Sequence, residues 1–202
     1  MSSIGIVCAM AEEVQKIIEA LALTPGEDLL GYRTYQNQEV VLIESSIGKV
    51  ASALATNALI QHFPLERIIN IGLAGALKPI QSQQAYFIHS VSQHDAFIPF
   101  EDYQRDMYQH ISCQVPSDTT TALKLTTGDQ FITDTTQVDS DAELVDMEGF
   151  AVAYAAQKHD IPVVLIKAVS DKANGQSEQD LFANLNQAMD QSIVLLRTTL
   201  VL

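Results

Sequence analysis

A chain of 202 residues that is 47% hydrophobic and 18% charged carries enough apolar material for one sizeable core and does not have the composition of a disordered chain. Its 25 acidic residues against 11 basic ones give a formal net charge of −14, so phosphate backbones and anionic lipid surfaces are repelled, which argues against nucleic-acid and membrane partners. The two cysteines, Cys8 and Cys113, form no CxxC or metal spacing, no basic stretch precedes the first apolar run, and no apolar stretch reaches the roughly 20 residues of a membrane span, which together predict a soluble cytoplasmic protein.

In chain order, residues 4–10 are a short apolar run that predicts a first strand, with Cys8 as a small core residue. Residues 11–23 come next as a helix, with Val14, Ile17, Ile18 and Leu21 at helical spacing and Pro25-Gly26 as its stop. Residues 32–35 and 40–43 flank Gln36-Asn37-Gln38-Glu39 as a hairpin. Gly48 introduces an Ala- and Leu-rich helix to about residue 63, and residues 67–72 form an apolar strand that ends in the loop GLAGAL at 72–77. A strand is expected at 85–92, and residues 93–121 read as polar and irregular with scattered aromatics. Residues 123–127 and 144–147 are strand candidates, 148–158 a helix, 162–169 a strand apolar except for Lys167, and 178–196 a final helix. Apolar strands alternating with helices predict a single α/β layered domain over residues 1–202, its central strands buried on both faces.

Ligands in such folds collect at the C-terminal ends of the strands. Glu12 and Glu13 come directly after the first strand, Asp146 and Glu148 sit at a strand-to-helix junction, and Asp171 comes after the most apolar strand. Taken singly, Glu12, Glu13 and Glu148 are explained as acids favoured by a helix dipole, and Asp171 as an N-cap. Their joint placement points to a site without naming its substrate. His94, in QHDAF, is placed to line the mouth of such a site, although a loop histidine is more often a solvated turn residue. His62, His89, His110 and His159 show no partner pattern, and no His/Cys cluster suggests a metal.

Six segments in chain order, IGIVCAMAEEV, SSIGKVASALATNALI, IINIGLAGAL, GDQFI, DMEGFAVAYAA and PVVLIKAVSDKA, resemble the 5'-methylthioadenosine/S-adenosylhomocysteine nucleosidase family of the nucleoside phosphorylase/hydrolase superfamily. The stretch DMEGFAVAYAAQKHDIPVVLIKAVSD looks especially like the plant-type methylthioadenosine nucleosidases. The resemblance implies a twisted mixed sheet, partly closed and flanked by helices, and hydrolysis of 5'-methylthioadenosine to adenine and 5-methylthioribose without cofactor or metal. It implies a role for Glu13 as the base that deprotonates the attacking water, and for Asp171, supported by Ser170, as the acid that protonates purine N7. Glu148 matches the glutamate that binds the ribose hydroxyls, Met147 the methionine against the sugar, and Phe131 the aromatic stacked on adenine. Ile132 matches the position whose backbone reads the base edge, and Met10 and Ile47 match apolar residues near the ribose and the 5'-alkylthio group. A homodimer is implied as well, with residues 93–116 of one subunit closing the partner's 5' pocket through Phe97, Ile98, Pro99 and Phe100, beside Asp95 and Glu101.

The chemistry fits these residue types. N-glycosidic cleavage builds positive charge on the ribose and negative charge on the departing purine, so it needs an acid at the base and a carboxylate near the sugar. An acid that must hold a proton near neutral pH needs burial or carboxylate neighbours, and the apolar run at 163–169 predicts burial for Asp171 at its end. The chain also departs from the family pattern. Leu73 stands where the family usually carries Ser or Thr, Gly75-Ala76 replaces Gly-Gly, and residues 116–124 and 133–141 are abbreviated. A leucine donates no hydrogen bond to water or phosphate, which counts against a phosphorylase. The same leucine motivates a nucleoside-binding protein without turnover as an alternative, alongside a hydrolase of S-adenosylhomocysteine or a futalosine-like nucleoside.

Overall fold

The structure, a computed structural model, describes residues 3–100, 102, 109–174 and 176–200; Glu101 lies outside them. In chain order the elements are β1 (Ser3–Cys8), α1 (Ala11–Leu21), β2 (Thr24–Pro25), β3 (Thr34–Gln36), β4 (Val40–Glu44), α2 (Lys49–His62) and β5 (Leu65–Ala76). They continue as β6 (Ala85–Gln93), β7 (Ile111–Ser112), β8 (Ala122–Thr127), β9 (Leu144–Asp146), α3 (Gly149–Lys158), β10 (Val163–Asp171) and α4 (Ser177–Leu200).

Among the described residues all ten strands join one sheet in the order β10-β6-β8-β9-β5-β1-β4-β3-β2, with β7 on β6. The strand β5 also pairs with β10, so β10, β6, β8, β9 and β5 close a ring and β1, β4, β3 and β2 extend from it as an open wing. Parallel pairs (β1 with β4 and β5, β5 with β10, β6 with β8, β8 with β9) mix with antiparallel ones (β6 with β10, β5 with β9, β3 with β4). The expected mixed, partly closed α/β sheet is the observed one.

The apolar runs are continuous because both faces of the sheet are covered. Ile68 joins one cluster with Ala55 and Leu59 of α2 and Val152 and Ala153 of α3. Its neighbours Ile69 and Ile71 join the other, with Val14 and Ile17 of α1 and Leu185 and Met189 of α4. Gly5 lets α2 lie close over β1. A Cβ there would meet Ile68, Leu59 and Leu65 at 2.9 Å, closer than carbon atoms approach.

Several boundaries differ from those read in the sequence. The helix α1 stops at Leu21, before Pro25, because Ala22 takes a left-handed conformation (φ 51°) and Thr24–Pro25 joins β3 as β2. GLAGAL is not a loop as far as Ala76. Leu73 and Ala74 pair with Ala168 and Val169, and Gly75 and Ala76 pair with Val145 and Leu144, so strand partners override the weak strand propensity of Gly and Ala. Ser170 and Asp171 belong to β10 rather than lying beyond it, and α4 runs to Leu200. The hairpin forms, its turn held by the Asn37 side chain, which accepts the N–H groups of Glu39 (2.9 Å) and Val40 (3.0 Å). The abbreviated segments hold no α-helix: residues 116–121 are a loop and the stretch before β9 has one 3₁₀ turn, Thr135–Gln137. Among the described residues no helix is long and apolar enough to cross a membrane.

Candidate active site

The ends of β1, β9 and β10 bring buried carboxylates to the same place: Glu13 after β1, Asp146 and Glu148 at β9, and Asp171 on β10. Glu13 reaches it from the first turn of α1. Its Oε1 accepts the Leu73 N–H (2.8 Å), and its Oε2 accepts the Met10 N–H (3.1 Å) and the Cys8 thiol (3.5 Å). It therefore caps its helix as an N3 glutamate and at the same time faces a cavity. Burial raises its pKa from the ordinary carboxylate value, opposed by the two backbone N–H groups, Lys167 and the thiol. Burial also pushes the Cys8 thiol well up, so it remains a donor to the carboxylate. Gly72 leaves room for this carboxyl, since a Cβ there would lie 3.1 Å from Glu13 Oε1.

Asp171 ends β10 just past a register shift between Val169 and Asp171 in the pairing with β5. Its Oδ2 accepts the Ser170 hydroxyl (2.8 Å) and its Oδ1 the Ala173 N–H (2.8 Å), so it closes its own turn and does not cap α4, which begins at Ser177. It is 4% exposed, in keeping with the burial expected after the apolar run. Gly75 gives it space, a Cβ there meeting Asp171 Oδ1 at 3.1 Å. The two carboxyls thus pack over glycines three residues apart on β5, roughly 10 Å of strand.

Glu148 precedes α3 as its N-cap, but its side chain turns away and Oε1 accepts the Gly48 N–H at 2.9 Å. Burial, with Asp146 beside it, raises its pKa to about 7. Beneath lies an ion pair buried from solvent: Lys167 Nζ sits 2.8 Å from Asp146 Oδ2, each side chain 1% exposed. Asp146 also accepts the Thr127 hydroxyl (2.6 Å) and the Gly149 N–H (2.8 Å). Burial opposes the lysine's charge, but Asp146, Glu148 and Glu13 outweigh it and hold its pKa above the ordinary value.

A cavity of about 590 Å³, counted with its open mouth, collects the nine residues to which the family resemblance gives a role: Met10, Glu13, Ile47, Phe131, Ile132, Met147, Glu148, Ser170 and Asp171. Other residues line it as well, among them Leu73, Gln130, Val145, Asp146 and Leu181. Leu181 arrives from α4 and has no sequence signal. The Asp146–Lys167 pair had one, since a lone lysine in an apolar strand requires a buried carboxylate partner. Glu12 is exposed and lines no part of the cavity. His94 is also absent from the lining. It is half-buried against Gly128, where a Cβ would meet its ring at 2.4 Å, and burial lowers its pKa. Asp95 is engaged by Lys49 at 2.5 Å and by the Asp129 N–H at 2.8 Å, while Phe97 and Phe100 are 80% and 65% exposed and stand apart from their own chain's cavity.

The sequence from residue 3 to residue 200 matches the phosphorylase superfamily. The chain belongs to that superfamily. The 5'-methylthioadenosine/S-adenosylhomocysteine nucleosidase of Staphylococcus aureus (strain JH9) is 30% identical, over 92% of this chain and 93% of its own length. The aminodeoxyfutalosine nucleosidase of Helicobacter pylori is 27% identical, over 98% of this chain and 97% of its own. The crystal structure of the Helicobacter pylori 5'-methylthioadenosine/S-adenosylhomocysteine nucleosidase with butyl-thio-DADMe-Immucillin-A superposes with a TM-score of 0.85 at 25% identity, covering 100% of this chain and 98% of that one. Nucleosidases of this superfamily hydrolyse N-ribosyl bonds of adenosine-type nucleosides, and this chain is one of them.

The raised pKa of Glu148 gives stability a pH dependence with a definite sign. The fold favours its protonated form, so this contribution is full below the ordinary value of 4.5 and is lost as pH climbs through about 7. Relative to Glu148→Gln, the wild type should lose on the order of 3 kcal/mol between about pH 4.5 and about pH 7. Urea denaturation of both proteins at each end of that window measures it, and a constant difference between them would contradict it.

Proposed function

We propose that the protein hydrolyses the N-glycosidic bond of 5'-methylthioadenosine, releasing adenine and 5-methylthioribose. The observation that carries this reading is the convergence of buried Glu13, Glu148 and Asp171 on one largely apolar cavity in a chain of this superfamily. In the reaction Asp171, steadied by Ser170 and the Ala173 N–H, gives its proton to N7 as the C1'–N9 bond breaks, so adenine leaves neutral. Glu13 takes a proton from the attacking water, whose oxygen bonds to C1' on the opposite face. Glu148 binds the ribose hydroxyls, Met147 packs on the sugar, Phe131 stacks on adenine, and the Ile132 backbone reads the base edge. Met10 and Ile47 border the 5' group.

Water is favoured over phosphate for two reasons. None of the described residues lining the cavity is basic, and the backbone N–H of Leu73, a cavity-lining residue, is already held by Glu13 and is not free to bind an anion. A second reading keeps the same bond and changes the 5' group, and the similarity to the Helicobacter aminodeoxyfutalosine nucleosidase favours it.

The assembly we infer is a homodimer in the cytoplasm. Val50 and Leu54, one turn apart on α2, are apolar and 73% and 50% exposed, and Ile47, just before the helix, is 53% exposed and also lines the cavity. Phe97 and Phe100 are the exposed residues suited to close a partner's 5' pocket. Two unpaired thiols suit a reducing compartment.

Adenine release from methylthioadenosine should run at the same rate with and without phosphate, and a phosphate requirement with a sugar 1-phosphate product would sink the hydrolytic reading. Asp171→Asn and Glu13→Gln should each lower kcat about 10²- to 10⁴-fold while nucleoside binding persists; near wild-type turnover in either removes the role assigned to that residue. Sedimentation at micromolar concentration should give twice the chain mass, and a single-chain mass refutes the dimer. Finally, kcat/KM for methylthioadenosine should exceed that for S-adenosylhomocysteine at least about tenfold, or about 1.4 kcal/mol, because an apolar 5' pocket leaves the amino-acid tail's carboxylate without a partner. Equal values in side-by-side kinetics would mean the pocket is open to solvent.

A further inference from the structure

At the register shift just before Asp171, a buried main-chain carbonyl of β10 is held by a side chain from α4. Val169 is paired on the β6 side of β10, its carbonyl accepting the Gln83 N–H (2.9 Å) and its N–H donating to the Gln84 carbonyl (3.0 Å). Asp171 is again in register with Gly75 of β5. Ser170, between them, is 1% exposed, and its carbonyl accepts a hydrogen bond from a side chain: Asn184 Nδ2, about two turns inside α4, at 2.7 Å. The Asn184 amide cannot rotate freely, because its Oδ1 accepts Gln83 Nε2 at 2.5 Å, which leaves its NH₂ facing the carbonyl. Gln83 presents that side chain from a left-handed backbone (φ 60°) on the loop leading into β6.

We propose that Asn184, oriented by Gln83, is a positioning residue for the general acid: it fixes the Ser170 peptide at the bulge and through it the direction of the Asp171 carboxyl. A bulge re-aims the side chain next to it, and the aim is only as fixed as the groups the bulge leaves unpaired. The sheet determines where Asp171 begins, and Asn184 determines where it points. Neither Asn184 nor Gln83 lines the cavity, so the clamp acts on the acid through the Ser170 peptide. This inference rests on the role given to Asp171 above.

The test is a double-mutant cycle of Asn184→Leu and Asp171→Asn, with kcat and KM for methylthioadenosine read separately. Asn184→Leu should lower kcat about 10- to 100-fold, the scale of a misplaced catalytic group, with KM changed less than about threefold. In the Asp171→Asn background the same substitution should cost less than about twofold, since the clamp then has nothing left to aim. An equal loss in both backgrounds, or no loss of kcat in the single variant, overturns the inference. Asp171→Asn with near wild-type turnover overturns the acid assignment itself, a separate result. Gln83→Asn tolerates the positive φ but is too short to reach Asn184, and it should show the same split at smaller size. It decides the matter if Asn184→Leu does not fold.

Discussion

An ammonium and a carboxylate removed from water, Lys167 and Asp146, hold the site end of this sheet together. Taking either charge into the interior costs several kcal/mol, recovered only when geometry and additional hydrogen bonds are good. Here they are. Asp146 on β9 receives Lys167 from β10, the Thr127 hydroxyl from β8 and the Gly149 N–H from the start of α3, while Thr127 Oγ1 in turn accepts the Phe150 N–H at 2.9 Å. Three strands of the closed ring and one helix therefore share a single carboxylate. Gly149 is part of the arrangement, because a Cβ there would meet Leu125 at 2.6 Å and Asp146 Oδ2 at 2.9 Å. Deleting one partner would leave the other charge buried alone, typically a loss of about 3–5 kcal/mol.

The same cation sets the electrostatics of the cavity. Glu13, Asp146 and Glu148 would place three negative charges at one end of a small sheet, and Lys167 is the buried charge that opposes them. Its pull lowers the pKa values of Glu13 and Glu148 against the burial that raises both. It thereby favours the ionised form of the group assigned to activate water. The strand β5 complements this from below by having almost nothing in the way. Gly72 and Gly75 offer no side chain where Glu13 and Asp171 lie, so two acids delivered by different strand ends settle on one platform.

How much of this was readable in the sequence is decided by the range of the interactions behind each feature. The alternation of apolar strands and helices depends on local pattern, so the layered α/β class was accessible, and so were the carboxylates at strand ends. The strand state of Leu73–Ala76 was not. Gly and Ala disfavour strands when read alone, and only pairing with β10 and β9, over 65 residues away, decides it. Asp171 looked like a residue after a strand because the apolar run stops at Val169. The register shift that carries β10 two residues further is a tertiary event. Leu181 and Asn184 were invisible for the same reason, since nothing in the pattern of α4 tells which of its residues face the end of β10. Lys167 was the missed clue: a single lysine in PVVLIKAV already demands a buried partner, and Asp146 was the acid at hand.

Leu73 shows how main chain and side chain can part company in a site. The family usually places a hydroxyl at this position, and its loss would ordinarily weaken the hold on the nucleophile. Yet the group that fixes Glu13 here is the Leu73 backbone N–H, at 2.8 Å, which any residue except proline supplies. The Met10 N–H and the Cys8 thiol, both independent of residue 73, hold the other oxygen. The base is therefore set by the path of β5 and the start of α1, not by the identity of the side chain. What the leucine alters is the neighbourhood of the base: an apolar group 9% exposed takes the place of a hydroxyl that could bind water or an anion. In the proposed reaction this leaves water held by Glu13 and the substrate's own hydroxyls, and denies phosphate a side-chain donor. The substitution therefore narrows the choice of nucleophile while leaving the base in place.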